Sequence, residues 1–205
     1  LDNRQAGGRL KNDCIGGQTH MTTGLRFLVV DGYAREGRED LQAGGASTAG
    51  HLYECMLKDC APGCDVDIVY PADPDSRLEA GKALGQYDGI AWTGSSLTIF
   101  NDDPRVTPQV DFARAAFEAG VPGFGSCWAA QIAVVAAGGV VAVHPHGREM
   151  GLARKIGLTP EGRGHPLYTN KKTVFDAFIS HDDEITHFPP GATIQAGNEY
   201  THVQS

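Results

Sequence analysis

One stretch constrains this 205-residue chain more than any other: Val121-Pro122-Gly123-Phe124-Gly125-Ser126-Cys127-Trp128-Ala129-Ala130-Gln131. It starts as a short apolar run and turns at Gly125-Ser126-Cys127. Residues 129–137 then continue it as a run of small, helix-compatible side chains. A strand, a tight turn with one nucleophile at its apex and a helix form the elbow that holds a side chain above a sheet. A cysteine in the first turn of a helix faces unpaired N–H groups and the positive end of the macrodipole. Both favour the thiolate, which is the nucleophilic form. A buried structural cysteine beside a glycine turn has the same local sequence, so the neighbouring segments decide between the two.

Those segments alternate between strand and helix patterns. Residues 26–31 form a β-rich apolar run, expected as a buried parallel strand. Residues 32–46 are polar and glycine-rich, and a long loop is expected there. Residues 47–59 read as a helix with Leu52, Cys55, Met56 and Cys60 at helical spacing. Residues 65–70 are a second strand, 78–84 a short helix and 89–93 a third strand. A helix over 105–119 carries Val106, Val110, Ala113 and Phe117 on one face and ends at Gly120 in a left-handed cap. After the elbow helix come strands at 140–143, 151–158, 178–180 and 193–196. The fold class is therefore α/β: an open, mostly parallel sheet with helices on both faces, and antiparallel additions at one edge.

With 205 residues the chain has room for one ordinary domain, and 41% hydrophobic residues suffice for a single core. A formal net charge of −8 argues against a nucleic-acid or acidic-membrane face. No apolar run is long enough to span a bilayer. Residues 1–20 are polar and glycine-rich, lack a signal-peptide core, and precede Met21. They are expected to be a non-native or disordered extension, with the domain over 21–205. The five cysteines, at 14, 55, 60, 64 and 127, are odd in number and irregular in spacing. They predict reduced thiols, with Cys55 packed on a helix, in a cytoplasmic protein. His144-Pro145-His146 has no further ligand at metal-site spacing and reads as a turn. No metal and no cofactor are expected.

The blocks Gly125-Ser126-Cys127-Trp128-Ala129-Ala130-Gln131, Trp92-Thr93-Gly94-Ser95-Ser96, Gly147-Arg148-Glu149-Met150-Gly151 and Ser180-His181-Asp182-Asp183-Glu184 occur in this order. Together they resemble the class I glutamine amidotransferases, whose glutaminase domains include that of GMP synthase. The resemblance runs from about residue 25 to the end of the chain and implies a flavodoxin-like sheet. One departure is Ala129, where the family usually has glycine; alanine is the smallest replacement.

The resemblance implies that Cys127 attacks the side-chain amide of L-glutamine or a γ-glutamyl substrate, and that a glutamyl thioester is then hydrolysed. It implies an oxyanion hole from the amides near Gly94 and of Trp128. It implies a substrate pocket containing Gln131, Ser180, His181, Asp182 and Asp183, with residues 180–183 as a loop. Glu149 resembles a structural acid of the family, and His181 is not the family's base. The leading expectation is a glutaminase that supplies ammonia to a synthetase partner. The alternatives are a stand-alone γ-glutamyl peptide hydrolase and a catalytically impaired binding module.

In the resembled family the base is the histidine of a late His-Pro-Glu motif. No such motif follows residue 184 here. His202 precedes a valine inside a strand-like run, and His165-Pro166 is followed by Leu167 and precedes the Ser180 block. The expectation is a chain cut short by a strand or two together with that pair.

Overall fold

The computed structural model describes residues 24–78 and 82–205. Four parallel strands form the main sheet: β1 (Arg26–Val30), β2 (Asp65–Val69), β3 (Gly89–Trp92) and β4 (Gly123–Gly125), in the order β2-β1-β3-β4. Leu28, Val29 and Val30 of β1 have no solvent exposure. A central parallel strand is covered on both faces, so its sequence is continuously apolar rather than alternating.

The connection from β1 to β2 runs one way across this sheet and that from β3 to β4 runs the other. Because such crossovers are right-handed, their helices lie on opposite faces. The first connection carries α1 (Arg35–Ala43) and α2 (Ala49–Cys60); the second carries α3 (Thr107–Glu118). The strand order reverses between β1 and β3, and crevices form beyond the carboxyl ends of strands at such a point. After β4 comes α4 (Trp128–Ala136), packed against α3.

The remaining strands are antiparallel, as expected, but form two sheets of their own. β5 (Val140–Val143) pairs with β8 (Asp183–His187). β6 (Glu149–Leu158) lies between β7 (Val174–His181) and β9 (Ala196–Gly197). A short helix, α5 (Pro160–Gly164), follows β6. A second, smaller core of Ala153, Ile156, Leu158 and Ala196 sits under the three-stranded sheet. No helix among the described residues is long and apolar enough to cross a membrane.

Several local expectations are corrected. Residues 32–46 contain α1, a helix without a buried residue. It has no apolar stripe to read. Polar contacts anchor it instead, through Arg38, whose guanidinium donates to Asp73 at 2.6 Å and to the Tyr33 carbonyl at 2.6 Å. On α2 the expected apolar face is not the buried one: Leu52, Met56 and Cys60 are exposed, and only Gly50 is buried. Phe117 of α3 is likewise exposed, beside β4. Of the expected helix over 78–84, residues 79–81 lie outside the described residues; Leu84–Gln86 forms a 3-10 turn. The expected extension over residues 1–20 also lies outside them. Gly120 takes the predicted left-handed conformation, with φ +68°. Cys60, Cys64 and Cys127 are free thiols as expected, whereas Cys55 is disulfide-bonded.

Candidate active site

Cys127 stands where the elbow pattern places it, between β4 and the first residue of α4. Its backbone angles, φ 56° and ψ −112°, are outside the basins that non-glycine residues prefer. Close packing holds this turn. An ideal Cβ on Gly125 would lie 2.3 Å from the Cβ of Ala129, so with alanine at 129 only glycine fits at 125. Behind the turn, Trp128 is 1% exposed, and its indole N–H donates to Gln109 Oε1 at 2.8 Å. Gln109 in turn donates to the carbonyls of Gly32 and Arg105, which pins α4 and α3 to the end of β1.

The one hydrogen bond of Cys127 Sγ to another segment, among the described residues, is to the Ser180 carbonyl at 3.8 Å. No histidine there lies within hydrogen-bond distance of the sulfur. Influences besides the helix end act on the thiol. Cys127 is solvent-accessible as a residue, but its sulfur sits low among packed groups. Burial pushes the thiol up, the Trp128 amide pulls it down, and the Asp183 charge pushes it up further. One helix end with a single N–H facing the sulfur does not outweigh desolvation and a nearby carboxylate.

Gly94 follows the end of β3, beside the cysteine; an ideal Cβ built on it would be 3.8 Å from Cys127 Cβ. Gln131, one turn into α4, is buried and faces the same cavity as Cys127. The block expected as a loop is a strand corner instead. Ser180 and His181 end β7, Asp183 opens β8, and Asp182 alone links them. Ser180, His181 and Asp183 line the cavity with Cys127. Asp182 does not: its carboxylate turns outward, 3.7 Å from Arg148 Nε, because alternation along the chain puts it on the other side of the corner.

The corner is braced from β6. Glu149 Oε2 is 3.2 Å from His181 Nε2 and accepts from Thr201 Oγ1 at 2.6 Å and Gln204 Nε2 at 2.9 Å. Burial pushes the Glu149 carboxyl up, but the hydrogen bonds from Thr201, Asn198 and Gln204 and the His181 charge prevail and hold it below its ordinary value. Glu149 is thus built in as a structural acid. His181 Nδ1 and Asp183 Oδ1 are buried without a hydrogen-bond partner. Burial and the Asp182 charge push the Asp183 carboxyl up, partly offset by His181. His144-Pro145-His146 is the expected turn: His144 accepts the His146 N–H through Nδ1 and donates through Nε2 to the Tyr200 carbonyl at 2.9 Å. No metal-binding cluster occurs among the described residues.

The cavity has a volume of about 460 Å³ and a wall of Ile156, Leu167, Phe175, Ile179 and Val203. Three groups near the nucleophile were not read from the sequence. Asp31, fully buried at the end of β1, accepts the N–H groups of Tyr33 and Gly50. The Tyr33 phenol is pushed up by burial and by the Cys127 and Asp31 charges. The Tyr53 hydroxyl is 2.7 Å from that of Ser126. Position just after β1, in an open parallel sheet, was the available signal for Tyr33.

Comparison with known proteins agrees with this architecture. The family model for class I glutamine amidotransferases matches residues 55–205. A Pseudomonas protein named gamma-glutamyl-L-1-hydroxyisopropylamide hydrolase is 37% identical over 177 residues, covering 85% of this chain and 59% of that protein. The GMP synthase of Bordetella avium is 28% identical over 132 residues, covering 62% of this chain and 24% of that protein. The chain thus spans less than two thirds of either relative. Among solved structures, a glutamine amidotransferase from Thermotoga maritima superposes with a TM-score of 0.68 at 15% identity, over 88% of this chain and 70% of that one. A putative GMP synthase subunit from Thermoplasma acidophilum gives 0.62 at 20% identity, over 90% and 77%. At those identities the structures speak to the fold. The family match over most of the chain, with the relative at 37% identity, places the protein in the class I glutamine amidotransferase family.

Proposed function

We propose that the protein hydrolyses the side-chain amide of γ-glutamyl compounds, with Cys127 as nucleophile and an N-substituted γ-glutamyl amide as the preferred substrate. The observation that carries this reading is the 460 Å³ cavity joining Cys127 to an apolar wall, a volume suited to ligands larger than one amino acid. The hydrolase name of the Pseudomonas relative supports it.

In this mechanism Cys127 loses its proton and Sγ attacks the δ-carbonyl carbon. The oxyanion that forms takes hydrogen bonds from the amides near Gly94 and of Trp128. The carbon–nitrogen bond breaks, the amine leaves with a proton, and a γ-glutamyl thioester remains. Water then attacks the thioester, releasing glutamate and the thiol. The Asp183 carboxylate suits the substrate's α-ammonium group, with Ser180, His181 and Gln131 lining the same cavity. Asp182 has no part in the pocket.

The second reading is a glutaminase that passes ammonia to a synthetase partner, favoured by the GMP synthase relatives. Comparing hydrolysis of L-glutamine with that of N-alkyl γ-glutamyl amides separates the two. The first reading requires the alkyl amides to have at least the kcat/KM of glutamine, and Cys127→Ala to abolish both activities. Turnover of glutamine alone would favour the second. If neither is turned over and a glutamine-like diazo-ketone leaves Cys127 unlabelled while modifying Cys60 or Cys64, both readings fail.

A further inference from the structure

The elbow is held on two sides by its own backbone. The Ser126 N–H donates to the Trp92 carbonyl at 3.3 Å, and the Ser126 carbonyl accepts from Ala129 N at 3.2 Å. The remaining handle on the turn is the Ser126 side chain, which lies on the exposed side. There it meets Tyr53 Oη at 2.7 Å, from a helix 73 residues earlier in the chain.

That helix is itself placed with unusual closeness. Gly50 N donates to Asp31 Oδ2 at 2.9 Å, and an ideal Cβ on Gly50 would lie 2.9 Å from the same oxygen. Only glycine lets the first turn of α2 come so near the end of β1. Thr48 caps this turn through His51 N. Tyr53 is three residues beyond Gly50 and so projects from the same side of the helix, one turn on. The same Asp31 holds the Tyr33 N–H at 3.0 Å. Thr93 Oγ1 accepts from Gly32 N at 3.0 Å and donates to the Gly94 carbonyl at 2.8 Å. One buried carboxylate thus anchors the helix that reaches Ser126, next to the glycine loop on the other side of the cysteine.

We propose that Tyr53 is a positioning residue for the nucleophile: its hydroxyl, placed by the Asp31–Gly50 contact, clamps Ser126 and so fixes the strained Cys127 turn against the cavity. The proposal rests on the reading of Cys127 as the attacking group. Tyr53 acts through Ser126 and touches neither substrate nor sulfur. Its contribution is orientation, so it affects attack on a bound, aligned substrate and leaves the thiol's own reactivity alone.

The test is a double-mutant cycle of Tyr53→Phe and Ser126→Ala in the full chain. It uses two reagents, a glutamine-like diazo-ketone that must bind before it reacts and iodoacetamide that need not, with adducts located by mass mapping. Each single variant should slow diazo-ketone modification of Cys127 about tenfold, the double variant no more than either single, and iodoacetamide rates should stay within about twofold of the parent. Parent-like diazo-ketone rates in Tyr53→Phe, or losses that add in the double variant, would overturn the clamp. A parallel fall with iodoacetamide would show an effect on the thiol or the fold and overturn it too. A parent that reacts with iodoacetamide at Cys127 but ignores the diazo-ketone would sink the γ-glutamyl reading, and the clamp with it.

Discussion

Gly125→Ala tests the elbow most directly, because the structure states what the added methyl meets. Its carbon would lie 2.3 Å from Ala129 Cβ, 3.3 Å from the Trp92 carbonyl oxygen and 3.4 Å from Trp92 Cβ. Non-bonded carbons rest near 3.5–4.0 Å, so the turn and the start of α4 must part by roughly 1 Å. Neither neighbour is the loose end of a long side chain that could swing away. Overpacking of this kind costs about 1–3 kcal/mol, a fall of roughly 2–12 °C in Tm for a domain of this size. The same shift moves Cys127 and should lower turnover or positioned labelling by about 100-fold. Ala129→Gly added to Gly125→Ala removes the 2.3 Å contact. It should recover most of the loss, less about 1 kcal/mol for glycine in a helix. Differential scanning fluorimetry and diazo-ketone labelling of the parent, the two single variants and the double variant are the assays. A Gly125→Ala protein with parental Tm and labelling refutes the packing argument. So does a double variant no better than the single, since it would leave the Trp92 contacts as the cause.

Two further outcomes follow from the same geometry. The Asp183 charge helps hold the Cys127 thiol up, so Asp183→Asn should shift the midpoint of a pH–iodoacetamide profile to lower pH, while Asp183→Glu should not; an unmoved midpoint in Asp183→Asn would assign the elevation to burial alone. Gly94→Pro removes one candidate oxyanion donor and should reduce turnover by about 10²–10³ with the fold retained, as read by circular dichroism; unchanged turnover in the folded variant would move the oxyanion hole elsewhere.

The sequence by itself determined the elements that have a local signature. β1 and β3 were legible because a buried parallel strand is continuously apolar. The elbow was legible because Gly125-Ser126-Cys127 joins a strand pattern to a helix pattern, and Gly120 because a helix end requires φ above zero. Those elements, in that order, imply the sheet and put Cys127 and Gly94 at its carboxyl edge. What only the tertiary structure decided depends on contacts between distant positions. Helix α1 escaped notice because Arg38 and Asp73 hold it, not an apolar stripe. The stripe on α2 misled because the helix turns Gly50 to the core and Leu52 and Met56 outward. Asp182 and Asp183 are adjacent in sequence, yet the strand corner sends one carboxylate to Arg148 and the other into the cavity. The surroundings of the nucleophile divide in the same way: the helix end is a local feature that favours thiolate, whereas burial and the Asp183 charge, which push the thiol up, arise only when β8 folds beside the elbow.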